Sequence, residues 1–208
     1  MRVRLAAALA VTCALSSAVT LARAETPAER RAERREDKSH DGVYNRFDGD
    51  LELSLGVGAE LGSAGNAASL LRAAAYYYSS GGLYVLGRVP LGGRSARDLF
   101  ETGVEAKPLF LIRWKRALEQ GPSLLDLTLD SCSLTLGAFW SSAAGGSFGG
   151  EHGFDAGFGL GVPLFAGAAG PWLEARGILR YPSELPREEA AYLLLAWHGF
   201  LQTPFVGD

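Results

Sequence analysis

From Leu51 onward the apolar residues of this chain recur with a period of two, and few folds accept such a pattern. Residues 51–61 read LELSLGVGAEL, with Leu51, Leu53, Leu55, Val57, Ala59 and Leu61 on one parity. Glu52, Ser54, Gly56, Gly58 and Glu60 occupy the other. Successive side chains of a strand point to opposite faces, whereas a helix would mix these glutamates with the leucines. The segment therefore reads as a strand with one apolar face and one face of glycine and charge.

The pattern repeats along the chain. Leu71, Ala73, Ala75 and Tyr77 stand against Arg72, and after a Ser79-Ser80-Gly81-Gly82 turn, Leu83, Val85, Gly87, Val89 and Leu91 stand against Tyr84 and Arg88. Residues 99–111 place Phe100, Thr102, Val104 and Ala106 against Glu101, Gly103, Glu105 and Lys107. Residues 124–140 change parity near Asp130-Ser131, from Leu125, Leu127 and Leu129 to Cys132, Leu134, Leu136 and Ala138, which marks a bulge or an extended lead-in. Phe154, Ala156, Phe158, Leu160, Val162 and Leu164 then alternate with Asp155 and glycines. Leu173, Ala175, Leu179 and Tyr181 oppose Glu174, Arg176 and Arg180, and Ala191, Leu193, Leu195 and Trp197 oppose Tyr192, Leu194 and His198. The last segment also has the propensity to start a helix, but seven partners that need closure favour an eighth strand.

Eight alternating segments describe an all-β, antiparallel, up-and-down barrel, and the charges indicate which face is inside. Glu52, Glu60, Glu101, Glu105 and Glu174 share the non-leucine parity with Arg72, Arg88, Lys107, Arg176 and Arg180. Five acids and five bases balance in a shared space, and a narrow interior tolerates charge only when it is paired. Eight strands leave an interior just wide enough for side chains to fill. Segments of about 10–12 residues also suit a tilted strand crossing a hydrocarbon layer. Tyr76, Tyr77, Tyr78, Trp114, Trp140, Trp172, Tyr181 and Trp197 lie near segment ends, where interfacial girdles belong. The expectation is a transmembrane barrel with a structural lumen cluster of those ten charges.

The segments LELSLGVGAEL, FETGVEAKPLFL, FDAGFGLGVPLF and PWLEARGILRY, behind an export signal, resemble the small eight-stranded outer-membrane barrels of Gram-negative bacteria, the outer-membrane protein A and X types. The resemblance covers roughly residues 44–200. It implies residence in the outer membrane, outer-membrane lipid as the surrounding partner and the barrel-assembly machinery as a partner during biogenesis. The connections are expected to be short except at residues 112–123 and 141–152.

The start of the chain agrees with export. Two arginines within Met1 to Arg4, an uncharged stretch from Leu5 to Leu21 and the small-residue exit Ala22-Arg23-Ala24 read as a signal peptide, residues 1–24, cleaved to leave Glu25 first. Cleavage would remove Cys13 and three arginines, shifting the formal charge from −3 to −6 and leaving Cys132 without a disulfide partner. So acidic a chain lacks the basic footprint of a nucleic-acid binder. Residues 25–43 alternate acidic and basic clusters with almost no large apolar side chain, which reads as a solvated arm. Residues 44–208 form the barrel domain.

Chemistry is sparse. Gly157, Gly159 and Gly161 lie in an alternating strand rather than opening a helix, so they are not a nucleotide fingerprint. His40, His152 and His198 are far apart, and no metal-ligand spacing is present. No catalytic residue, metal or cofactor is expected. His198 has no adjacent serine and reads as a lumen or interface residue. Residues 113–119 (RWKRALE) read as a helical connector, or as a basic piece at a headgroup surface. A structural or surface-interaction barrel with a plugged lumen is the first expectation. A lipid-acting barrel enzyme and a soluble periplasmic cup for an apolar ligand are the alternatives.

Overall fold

The computed structural model describes residues 44, 49–62, 67–91, 97–116, 118, 121–142 and 148–203. The expected signal and charged arm, residues 1–43, lie outside the described residues. Eight strands form a closed antiparallel barrel in chain order. They are β1 (Leu51–Gly62), β2 (Ala67–Tyr77), β3 (Gly81–Pro90), β4 (Leu99–Ala106), β5 (Ser133–Ser142), β6 (Phe148–Pro163), β7 (Gly170–Pro182) and β8 (Glu188–Leu201). Two helices, α1 (Pro108–Lys115) and α2 (Ser123–Asp130), connect β4 to β5. The seam closes where β1 pairs with β8, from Leu51 opposite Leu201 to Gly62 opposite Ala190. Closure removes the free edges that an open sheet would present. Both ends of the strand series, Leu51 and Leu201, and the helical connector therefore sit at one end of the barrel.

The polarity is that of a membrane barrel. Leu55, Val57, Leu71, Leu83, Leu136 and Leu195 are all more than half exposed, while Glu52, Glu60, Arg72 and Glu101 are buried inside. Among the described strand residues, the outward parity carries no ionisable side chain except tyrosine, His152 and Glu189, and those two lie near the end remote from the helices. A soluble cup needs the reverse, an apolar interior and a polar exterior. Phe100 and Trp140, ring centroids 6.2 Å apart, mark one rim together with Tyr181. Tyr77, opposite Leu51, marks the other, and Trp197 lies further in as the ladder neighbour of Leu55.

Several local expectations are corrected. Residues 123–130 form helix α2 instead of a strand or lead-in, and the register shift lies at Ser141/Ser142 in the β5–β6 pairing. The leucine alternation there coexists with burial at Ser123, Asp126, Leu127 and Asp130, which is helical spacing. Strand β4 stops at Ala106, because Pro108 cannot donate to a ladder but suits the first turn of a helix. The long connection is thus residues 107–132, and only residues 143–147 separate β5 from β6. The first hairpin turns at Tyr78 and Ser79, both at positive φ, with Gly81 and Gly82 already in β3. Tyr76 and Trp172 are not girdle residues; their parity points inward and they are almost fully buried. Residues 188–201 form a strand despite their helical propensity, since β1 and β7 supply a ladder on both sides.

Candidate functional site

The ten charges singled out by their parity all point into the lumen, where they separate into two layers. The layer near the helical end contains Glu52, Arg72, Glu105, Lys107, Glu174 and Arg176. Arg176 spans two carboxylates, with Nη1 2.9 Å from Glu105 Oε2 and Nη2 2.9 Å from Glu174 Oε2. Arg72 donates to the same Glu105, whose Oε2 also accepts from the Tyr76 hydroxyl at 3.1 Å. Lys107 Nζ sits 3.1 Å from both oxygens of Glu52 and 4.0 Å from the centre of the Tyr76 ring. His198 links the two halves: Nδ1 is 2.6 Å from Glu52 Oε1 and Nε2 is 2.9 Å from Glu174 Oε1. Two ionised carboxylates are satisfied together only when both ring nitrogens carry hydrogen.

The second layer contains Glu60, Arg88, Glu101 and Arg180. Arg180 grips Glu60 with both terminal nitrogens, at 3.2 and 3.0 Å, and lies 3.6 Å from Glu101. Its guanidinium also donates to the Tyr192 hydroxyl, which in turn donates to Glu101 at 3.3 Å. Arg88 Nε approaches Glu60 at 3.2 Å. Asp155 joins this layer, accepting from the Tyr84 hydroxyl at 3.0 Å.

Apolar side chains separate the layers. On β7 the inward order is Arg180, Ile178, Arg176; on β8 it is Tyr192, Leu194, Ala196, His198. Ile178 and Leu194 pack with Leu70, Leu86, Leu99, Phe139 and Tyr192 in one buried cluster. Space for the large residues comes from glycines on the adjacent strands, where Gly159 pairs with Arg176 and Gly137 with Asp155. A side chain at Gly137 would meet the Tyr84 hydroxyl and Asp155, and one at Gly159 would meet Ser133 and the Arg176 guanidinium.

Beneath the first layer the helices close the barrel. Leu127 of α2 packs on Ala168 and Trp172 with no exposure, and the Trp172 indole donates to the Ala168 carbonyl at 2.9 Å. Arg113 of α1 donates to Asp130 at 2.8 Å and to Asp126, while the Tyr44 hydroxyl donates to Asp126 at 2.7 Å. A cavity of about 20 Å³ remains between this cap and His198, lined also by Glu52, Trp172 and Phe200. Such a space holds a water molecule or two. Cys132, beside α2, is a free thiol whose partial burial raises its pKa above the ordinary value.

Parity alone would have added Asp155, His198, Tyr76, Tyr84 and Tyr192 to the lumen network. Tyr84, Tyr192 and His198 already stood on the inward parity of the sequence, whereas Asp155 was hidden among glycines and Tyr76 was grouped with the girdle residues. The helical cap carried no period-two signal that distinguished it.

A closed eight-stranded barrel with a lipid-compatible exterior and an ion-paired interior defines the class of small transmembrane β-barrels. Among solved structures, the chain is similar to the crystal structure of Neisserial surface protein A, at 14% identity over 73% of this chain and 96% of that one, with a TM-score of 0.40. Comparison with protein-family models gives no match, and neither does comparison with curated protein sequences.

Proposed function

We propose that the chain is an integral outer-membrane barrel with a plugged lumen, serving a structural or surface-interaction role rather than conduction or catalysis. The observation that carries this reading is the separation of charge. All ten balanced charges point inward and are paired, while the exterior between the rims is apolar. On this reading outer-membrane lipid surrounds the chain and the barrel-assembly machinery inserts it. On the same reading the two charge layers and the apolar cluster packed with them form the plug, in keeping with the narrow interior of eight strands.

A hydrolytic reading has one observation in its favour. Ser54 Oγ lies 3.4 Å from His198 Nε2, and Glu52 holds the other ring nitrogen, which resembles the parts of a serine hydrolase. The surroundings disfavour it. Nε2 already faces Glu174 at 2.9 Å, Ser54 is buried, and the neighbouring cavity is far too small for an acyl chain.

Membrane fractionation with a heat-modifiability gel, followed by planar-bilayer recording, tests the proposal. Expected are outer-membrane recovery, a heat-dependent mobility shift and no single-channel conductance. Recovery in the soluble fraction, stable channels, or labelling of Ser54 by a fluorophosphonate would each overturn it.

A further inference from the structure

The connector between β4 and β5 shares the inside-out polarity of the strands. On α1, Leu109, Leu111, Ile112 and Trp114 are exposed, as are Leu125 and Leu129 on α2. The faces turned to the protein are instead polar or mixed. Arg113, Asp126 and Asp130 join the helices through ion pairs, and Leu127 and Phe110 fill the remaining space. A cap bathed in water would put the ions outside and the leucines inside.

This apolar surface is continuous with the lipid-facing wall. Helix α1 follows directly on β4, whose outward face ends in Val104 and Ala106, and it touches both α2 and β5. The outward residues of β5 nearest that end are Leu134 and Leu136, both more than half exposed. At the far end of α1, Lys115 and Arg116 are exposed cations. Leucine, isoleucine and tryptophan beside two lysine- or arginine-type charges make the composition of a segment lying in a headgroup layer.

We infer that α1 and α2 lie in the membrane interface, with their apolar face in the acyl boundary and Lys115 and Arg116 at lipid phosphates. The occupant of this surface is the leaflet at the barrel end that carries Leu51 and Leu201. The connector is then a membrane-seated lid, which holds the cap over His198 and Glu52 through Leu127 and the Arg113 ion pairs. This inference rests on the membrane-barrel reading and adds a second lipid contact to it.

The test uses single cysteines, Ile112→Cys, Leu125→Cys and, as a belt reference, Leu55→Cys, each in the full chain carrying Cys13→Ser and Cys132→Ser. Each is labelled with an environment-sensitive fluorophore and folded into vesicles of phosphatidylethanolamine and phosphatidylglycerol. Probes at positions 112 and 125 should lose more fluorescence to a shallow doxyl lipid than to a deep one, and little to aqueous iodide. The probe at 55 should respond to the deep quencher. Quenching of 112 and 125 by iodide alone, or by neither agent, overturns the interfacial lid; the second result would place protein on this surface instead. Failure of lipid quenching at 55 would overturn the membrane barrel itself, so the two failures are distinct. Lys115→Glu with Arg116→Glu should also reduce the preference for folding into anionic over zwitterionic vesicles. An unchanged preference removes the phosphate contact.

Discussion

Arg180 on β7 and Glu60 on β1 meet inside the barrel as a two-pronged ion pair, at 3.2 and 3.0 Å, although their strands are not neighbours. Strand β8 stands between them and contributes Tyr192, which accepts from Arg180 and donates to Glu101. Arg180 therefore serves three groups that are otherwise buried. Replacing it by leucine leaves Glu60 and Glu101 without their main cation, a loss of about 3–5 kcal/mol for a broken buried pair. Urea unfolding from lipid vesicles should show a clearly lowered midpoint for Arg180→Leu. Adding Glu60→Gln should restore part of it, and a double-mutant cycle measures the coupling. An unchanged midpoint would mean that the pair carries no stability.

Arg88 offers a graded comparison. It reaches Glu60 with Nε alone, and Glu60 keeps Arg180 when Arg88 is removed. Arg88 Nε makes no hydrogen bond in that contact, so Arg88→Ala removes only a charge–charge attraction and should cost clearly less than Arg180→Leu. The same unfolding assay should rank it below Arg180→Leu. The opposite ranking would show that Arg88 is the principal partner of Glu60.

The architecture was legible because lipid and lumen impose opposite polarity on adjacent residues, so parity reports face directly. Glu52 and Leu53 declare their sides without any knowledge of neighbours. Partners were not legible in the same way. Glu60 and Arg180 are brought together by barrel closure and strand stagger, neither of which is written in one strand's alternation. Helix α2 escaped for a different reason. In SLLDLTLD the leucines at 125, 127 and 129 satisfy period two, while the buried set 123, 126, 127 and 130 satisfies the helical period. Part of that buried set is polar, because the surface outside the connector is apolar, and a search for a buried apolar stripe passes over it. Tyr76 and Trp172 were placed in the girdles by position along the strand, where parity already pointed them inward.

The charge count differs between the layers. Near the helical end, Glu52, Glu105 and Glu174 face Arg72, Lys107 and Arg176 with His198 between them, whereas in the other layer, among the described residues, Glu60, Glu101 and Asp155 face Arg88 and Arg180. Asp155 Oδ2 has no hydrogen-bond partner among the described residues. Asp155→Asn keeps an acceptor for Tyr84 and removes the surplus carboxylate. It should leave the unfolding midpoint equal or higher, while the isosteric Glu60→Gln should lower it. A lowered midpoint for Asp155→Asn would assign Asp155 a cation that the geometry does not show.

Acid should also act at the seam. The Thr203 hydroxyl and the Thr203 backbone N–H, at 2.6 Å, both donate to Asp50 and hold its carboxyl below the ordinary value of 3.8. A depressed carboxylate adds stability that is present above the unfolded value and is lost as pH falls through the folded one. The chain should be more stable than Asp50→Asn at neutral pH, and the gap should close below about pH 4. Unfolding midpoints of the two chains, measured across pH, check this; a gap independent of pH would leave the Thr203 contacts without a charge component.

The exterior supplies the sharpest test, because the same substitution has opposite consequences in water and in lipid. Leu55 lies near the middle of β1, more than half exposed, with Ala73 and Trp197 as its ladder neighbours. On the outside of a soluble barrel, Leu55→Arg would change stability by no more than about 0.5 kcal/mol. Facing hydrocarbon near the midplane, it should cost about 2–4 kcal/mol, because a guanidinium there must keep its water or reach the interface. Leu201→Arg, at the end of β8, places the same charge near a rim and should cost about 0–1 kcal/mol. Both variants retain the lumen network, so a difference between them reports depth in the bilayer rather than damage to the plug. Reversible unfolding from vesicles should order them with Leu55→Arg far below Leu201→Arg. Equal midpoints would mean that position 55 does not face hydrocarbon.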